Sequence, residues 1–540
     1  MGSSFLKRFG LLAVSLIPGV LSSISAVNTV VDLGYATYRG NLSFPNTVAY
    51  LGLPYAEPPL GERRFRAPIT LDTARIQAEA GGKIIDASSN PAFCIQGSIG
   101  RGDAGGAGSE DCLKVNVYVP VGAKQGDKLP VLVYIHGGGY VYGNPANFPL
   151  DHWVHQVPEV VIVSVYYRLD SLGFLAHPDF ATSNLGDFNV GFQDQTEALR
   201  WVQRHINAFG GDPGRVTING HSAGSSSVEL HLTAPNNIGL FHAGIAQSVY
   251  RITVPTPAAK LSTFNTFTQN AGCGSGSVSA QMSCLRKASV SVLAQAQDAT
   301  SGDPHHIFIP VQDPKTIPIP PTTAILQGKF HGVPLIVGAT SNETLSTGSG
   351  NNITQSLLAF WPLLTRKDID DYATQYPSSD FISSNEQYRD TIGESGFRCA
   401  REIMGGGFGN KAKAFTYRYN QPDPTSGSNL VEHAAENYML FRGIETGVNG
   451  TGTFHTLNPI QTAFSEELIA YWLSFVRSGD PNTFKLARSP IWPAYGSDQK
   501  RVLLQQGATS TKSGISVEVS DQRVEARCAF VASKASVEQN

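Results

Sequence analysis

The chain has 540 residues, 41% of them hydrophobic and 15% charged, and 40 Lys+Arg against 43 Asp+Glu leave a formal net charge of −3. A chain of this length buries a large core without a metal or a cross-link to hold it together. The near-balanced charge, with no basic run, excludes a binder that holds nucleic acid by electrostatics.

In chain order, residues 1–26 read as a secretory signal peptide. Lys7 and Arg8 give the basic start, residues 9–21 are apolar, and Ser22-Ser23-Ile24-Ser25-Ala26 offers small residues for cleavage. No later apolar run is long enough to cross a bilayer, so no stable membrane span is expected. Residues 27–540 are expected to form one secreted, extracellular domain. The six cysteines, Cys94, Cys112, Cys273, Cys284, Cys399 and Cys528, are then more readily bridged than free. Pairing of neighbours gives Cys94–Cys112 and Cys273–Cys284 and leaves Cys399–Cys528. Sequons at Asn41, Asn342, Asn352 and Asn449 fit the same compartment and are candidate N-glycan sites.

Short apolar runs at 115–119, 131–135, 160–165, 216–218 and 334–337 read as buried strands. Helical patterns cover 192–206, 222–232 and 466–476. Strand and helix alternate, which predicts an α/β fold with a large, mostly parallel central sheet flanked by helices.

Gly220-His221-Ser222-Ala223-Gly224 follows one of these strands and opens a helix. A serine on so tight a strand-to-helix turn is pushed out above the sheet, and side chains at the flanking glycines would clash with the neighbouring strand and helix. The free N–H groups of the helix start then face any oxyanion that develops there. His136-Gly137-Gly138-Gly139-Tyr140 follows an upstream strand and supplies further donors. Gly138, Gly139 and Ala223 are therefore the candidate oxyanion hole. In sites of this kind the order is Ser, then an acid, then His. Glu343 lies in the loop after the strand at 334–337, and beyond it only His433 and His455 remain of the 13 histidines. Either can serve as the base by order alone. His305-His306 has no cysteine or carboxylate partner at ligand spacing, so no metal is expected, and no cofactor.

The chain resembles the type-B carboxylesterase, lipase and cholinesterase family, particularly its fungal extracellular members. The resemblance is carried by Leu51-Gly52-Leu53-Pro54-Tyr55-Ala56-Glu57-Pro58-Pro59, Arg64-Phe65 and Glu110-Asp111-Cys112-Leu113. It continues through Tyr167-Arg168-Leu169, Gly173-Phe174-Leu175, Asn184-Leu185-Gly186, Gln193-Asp194 and Phe209-Gly210-Gly211-Asp212-Pro213. The serine motif, Tyr471-Trp472 and Gly479-Asp480-Pro481-Asn482 complete it. It implies an α/β-hydrolase fold, hydrolysis of a small-molecule or lipid ester, and Ser222, Glu343 and His433 as the catalytic triad. His433-Ala434-Ala435-Glu436 matches the family's H-x-x-E segment. His455, in Gly452-Thr453-Phe454-His455, resembles the histidine site of some yeast lipases, but Asn458 stands where the acid would be. The resemblance also implies the three cysteine pairs above, an Arg64–Glu110 pair bracing the first disulfide loop, and Ser248 beside the acid.

His221 departs from the family, most of which has Glu before the serine. The Cys94–Cys112 loop is short, with Ile95 and Ile99 as its only large apolar residues and no tryptophan. It therefore makes a poor lipid-docking lid, and a quaternary-ammonium substrate is not expected. Phe360-Trp361 reads either as gorge lining or as an ordinary core pair. The expected function is a secreted serine carboxylic-ester hydrolase. The alternatives are a triacylglycerol or sterol-ester lipase and, more remotely, a non-catalytic adhesion member.

Overall fold

Among the described residues eleven strands join in one sheet: β1 (Asn41–Phe44), β2 (Thr47–Pro54), β3 (Lys114–Pro120), β4 (Leu129–Ile135), β5 (Val161–Val165), β6 (Gly211–His221), β7 (Ala243–Gln247), β8 (Leu335–Thr340), β9 (Ala414–Tyr419), β10 (Lys500–Leu504) and β11 (Ser516–Val519). This is a computed structural model, and it describes residues 28–96, 107–300, 307–343, 352–446 and 451–540. The candidate signal peptide, His305, His306, Asn449 and most of the glycine-rich stretch 100–108 lie outside the described residues.

The sheet order is β11-β10-β9-β8-β7-β6-β4-β5-β3-β2-β1. From β10 to β5 every pairing is parallel. The β1–β2, β2–β3, β3–β5 and β10–β11 pairings at the flanks are antiparallel. A parallel sheet must be covered on both faces, so its strands carry apolar residues without interruption. In β4, Val131, Val133 and Ile135 point into one apolar cluster while Leu132 and Tyr134 point into the other. That is the two-residue alternation of a strand buried on both sides. The expected α/β architecture and each of the five expected strands are present.

Five helices matter for the site and its support: α1 (Val190–His205), α2 (Ala223–Thr233), α3 (Cys399–Gly409), α4 (Pro459–Ser478) and α5 (Gln522–Ser533). Helix α4 starts earlier than its apolar stretch. Asn458 caps it in a reciprocal pair with Gln461, and Pro459 takes the first position. It stops at Gly479, whose φ of 72° is the left-handed turn that glycine adopts without strain.

The three disulfides are Cys94–Cys112, Cys273–Cys284 and Cys399–Cys528. The last ties α3 to α5. Arg64 grips Glu110 through two bonds of 2.7 Å and donates to the carbonyls of Leu285 and Ala288. It thus fastens the first cross-linked loop to the chain just past the second. Among the described residues no helix is long and apolar enough to cross a membrane.

Candidate active site

The loops that leave the carboxyl ends of β4, β6, β7 and β8 converge on one point, the usual ligand side of an open α/β sheet. Register brings them together: Gln247 lies opposite both His221 and Gly338. The Ser222 amide then donates to the Gln247 carbonyl at 2.9 Å, and the Ser248 amide to Gly338 at 2.8 Å.

Ser222 has φ 57° and ψ −126°, a conformation that costs a non-glycine residue about 1–3 kcal/mol. The glycines around it explain how the turn closes. A Cβ on Gly220 would stand 2.3 Å from the Gly224 carbonyl, and one on Gly224 would stand 2.1 Å from the Ile135 oxygen. No larger residue fits either place.

His433 stands between the other two residues. The Ser222 hydroxyl donates to its Nε2 at 2.8 Å, and its Nδ1–H donates to Glu343 Oε2 at 2.7 Å. An ionised carboxylate only accepts, so this contact fixes the histidine tautomer. Glu343 is fully buried, and its Oε1 accepts from the Thr340 amide at 2.7 Å. Burial alone pushes its carboxyl up. His433 overrides this, with the Ser248 hydroxyl and the Thr340 amide assisting, and the group is held below its usual range. Ser248 is fully buried, and its hydroxyl lies beside the carboxylate.

The acid loop and the histidine loop are also clasped directly. The Asn342 amide donates to the Val431 carbonyl at 3.1 Å, and Asn342 Oδ1 accepts from the Val431 amide at 2.9 Å. A five-residue π-helical turn, Glu394–Arg398, packs on the same place. Its Phe397 ring centre lies 4.6 Å from that of His433. Gly393, just before the turn, has no room for a side chain, because a Cβ would meet the Glu343 carbonyl at 2.4 Å.

On the other side, Gly138 and Gly139 have φ of 107° and 64°. The loop that carries them is held by the Tyr167 hydroxyl, which donates to the His136 carbonyl at 2.9 Å, and by stacking of Tyr167 on His136. Among the described residues no protein acceptor takes the N–H of Gly138, Gly139 or Ala223. Gly138 and Gly139 line the same cavity as Ser222 and His433, and Ala223 opens the helix directly after Ser222.

His455 is elsewhere, 40% exposed and paired with Glu445 at 3.0 Å. Of the two histidines left open by order, the structure brings His433 to the serine. Phe360 and Trp361 are buried and do not line the cavity, which is the core reading of that pair. His221 is buried and its imidazole is held well below its usual range, first by burial and then by His433, so it stays neutral beside the nucleophile. Among the described residues no group of three or more His, Cys, Asp or Glu side chains is placed to hold a metal ion.

Sequence reading missed Thr340, Tyr142, Tyr250, Phe397 and Asn437. Of these, Tyr142, Tyr250 and Asn437 line the cavity. Tyr142 stands two residues past the glycine motif, which is the one signal that could have found it, whereas Tyr250 lies 26 residues past the serine motif. Phe397 has none, because a π-helical turn leaves no distinctive pattern in one sequence.

Residues 28–531 match the model of the carboxylesterase family. The cocaine esterase of Oryctolagus cuniculus is 31% identical over 496 residues, covering 84% of this chain and 87% of that protein. The acylcarnitine hydrolase of Mus musculus is 29% identical over 501 residues, covering 84% and 82%. The crystal structure of Aspergillus niger EstA superposes with a TM-score of 0.83 at 28% identity, covering 95% of this chain and 99% of that one.

Proposed function

Since the chain belongs to the carboxylesterase family, we propose that it hydrolyses carboxylic esters through an acyl-enzyme on Ser222. The observation that carries this reading is the unbroken chain of hydrogen bonds from Ser222 through His433 to buried Glu343. Ser222 Oγ attacks the ester carbonyl while its proton passes to His433 Nε2. Glu343 stabilises the imidazolium that results. The N–H groups of Gly138, Gly139 and Ala223 take the charge on the tetrahedral oxygen. The carbon–oxygen bond to the alcohol breaks, and His433 returns the proton to that alcohol. Water then attacks the acyl-serine by the same steps and frees the acid.

The substrate reading favours short acyl esters over triacylglycerol or sterol esters. The cavity at Ser222 is about 90 Å³, well below the ~300–1,000 Å³ of sites that engulf drug-sized ligands. The cross-linked loop also lacks the apolar surface of a lipid-docking lid. Three disulfides and the N-terminal pattern support secretion. Intact catalytic positions argue against a purely adhesive role.

The test is hydrolysis of p-nitrophenyl esters from acetate to palmitate, with Ser222→Ala as control. Activity should be greatest on the short esters. The serine variant should lose about 10⁴-fold or more in kcat, the scale of serine-triad removals. A variant that retains half the activity sinks the mechanism. A maximum on the longest esters replaces the short-acyl reading with the lipase one.

A further inference from the structure

The cavity at Ser222 is bordered by an aromatic pair that none of the motifs contains. Tyr250, three residues past the end of β7, is buried and lines the cavity together with Ser222 and His433. Its backbone is fixed, since the Ser226 hydroxyl on α2 donates to the Tyr250 carbonyl at 2.6 Å. Its ring lies flat on Phe397, with centroids 5.2 Å apart and planes 17° apart. Phe397 in turn packs against His433 and is itself buried.

The backing cannot retreat. Phe397 sits on the π-helical turn, and the Arg251 amide donates to the Gly396 carbonyl at 2.8 Å. The fully buried Arg251 guanidinium holds the Ser395 carbonyl and Glu538, and lies over the Trp361 ring at 5.7 Å. Phe360 sits against the turn at Gly396. Tyr250 is therefore a rigid plug with a layer of packed aromatic side chains behind it, in a region where interiors do not deform continuously.

During turnover the acyl group stays bonded to Ser222 while the alcohol leaves and water enters. The group that stays is held against the wall that borders Ser222, and that wall includes Tyr250. We infer that Tyr250, braced by Phe397, sets the upper limit on acyl length, and that the natural substrates are esters of short acids. This rests on the acyl-enzyme reading above.

The experiment compares kcat/KM across the same p-nitrophenyl acyl series for the wild type, Tyr250→Ala and Tyr250→Trp. A second series holds the acetyl group and lengthens the alcohol. In the alanine variant the ratio of octanoate to butyrate rates should rise tenfold or more, since a few methylene groups newly accommodated are each worth up to that much discrimination. The tryptophan variant should move the other way, losing butyrate relative to acetate at least fivefold. Neither should change the alcohol series. If the alanine variant does not fold, the tryptophan ratio decides. Unchanged acyl ratios in a folded, active variant overturn the inference and leave the esterase reading intact, as does a shift confined to the alcohol series. A wild type that hydrolyses no ester and is not labelled at Ser222 by an organophosphate overturns the esterase reading itself.

Discussion

Two carboxylates, one in the site and one on an edge strand, are held below their usual range by unlike partners. Glu343, beyond β8, is fully buried and has one partner that can gain or lose a proton, His433 at 2.7 Å. Glu518, on edge strand β11, is gripped by two arginines that cannot. Arg418 meets it through two bonds of 2.9 and 2.6 Å, and Arg501 through one of 2.6 Å. Burial raises Glu518, but the arginines override it and hold the group at about 2. A permanently charged partner can only fasten strands together. A partner that titrates lets the carboxylate answer a charge that appears during turnover. The chemistry of the partner separates structure from function in the two regions.

The sharpest way to break this contrast is at Glu343. Glu343→Gln keeps the shape but offers an N–H to a nitrogen that already carries one, forcing the wrong histidine tautomer. Its kcat should fall about 10⁴-fold, with little change in melting temperature. A large drop in stability with modest loss of rate would make Glu343 a structural residue like Glu518. The converse variant, Glu518→Gln, should cost about 1–2 kcal/mol at neutral pH, at the lower end for hydrogen bonds to charged groups because the site is partly exposed. Its kcat should be unchanged. Because the folded value lies below the ordinary one of 4.5, this stability is present above pH 4.5 and is lost as pH falls toward 2. Urea melts across that window should show a flatter acid limb in the variant.

A third test lies at Glu436, buried behind the site. It accepts from the Tyr417 hydroxyl at 2.8 Å and from Gln247 at 3.1 Å, and among the described residues it forms no ion pair. Burial foremost, with the Glu343 charge adding, pushes it up to about 8. Here the sign reverses. The folded protein keeps a proton that the unfolded chain has lost, so stability falls as pH rises from 4.5 through 8. Glu436→Gln should remove that fall, and the variant should gain on the wild type in urea midpoint between pH 6 and pH 9. A parallel pH dependence in the two proteins would mean that Glu436 is ionised throughout.

How much of this was legible in the sequence follows from the range of the forces involved. The Ser222 elbow and the Gly138–Gly139 loop are dictated by backbone crowding within a few residues, so the letters alone place them. Strand β4, a solid apolar run, is equally plain. Strand β7, Ala-Gly-Ile-Ala-Gln, is not, because small residues suit its place between β6 and β8 without forming a bulky run. His433 and His455 cannot be separated by local rules, since the contact with Ser222 spans 211 positions. Resemblance favoured His433 where spacing could not. The Tyr250–Phe397 wall was invisible, because it exists only once β7 and the π-helical turn have packed.

The clasp between Asn342 and Val431 has a consequence for how such a site diversifies. The acid and base loops are fastened to each other by one backbone bond and one bond to the Asn342 side chain, one residue before the acid and two before the base, so the long excursion between them need not hold them together. Insertions and exchanges within it can reshape the wall that Phe397 provides while leaving the proton path where it is. The chain thus keeps its reaction and its selectivity in separately heritable pieces.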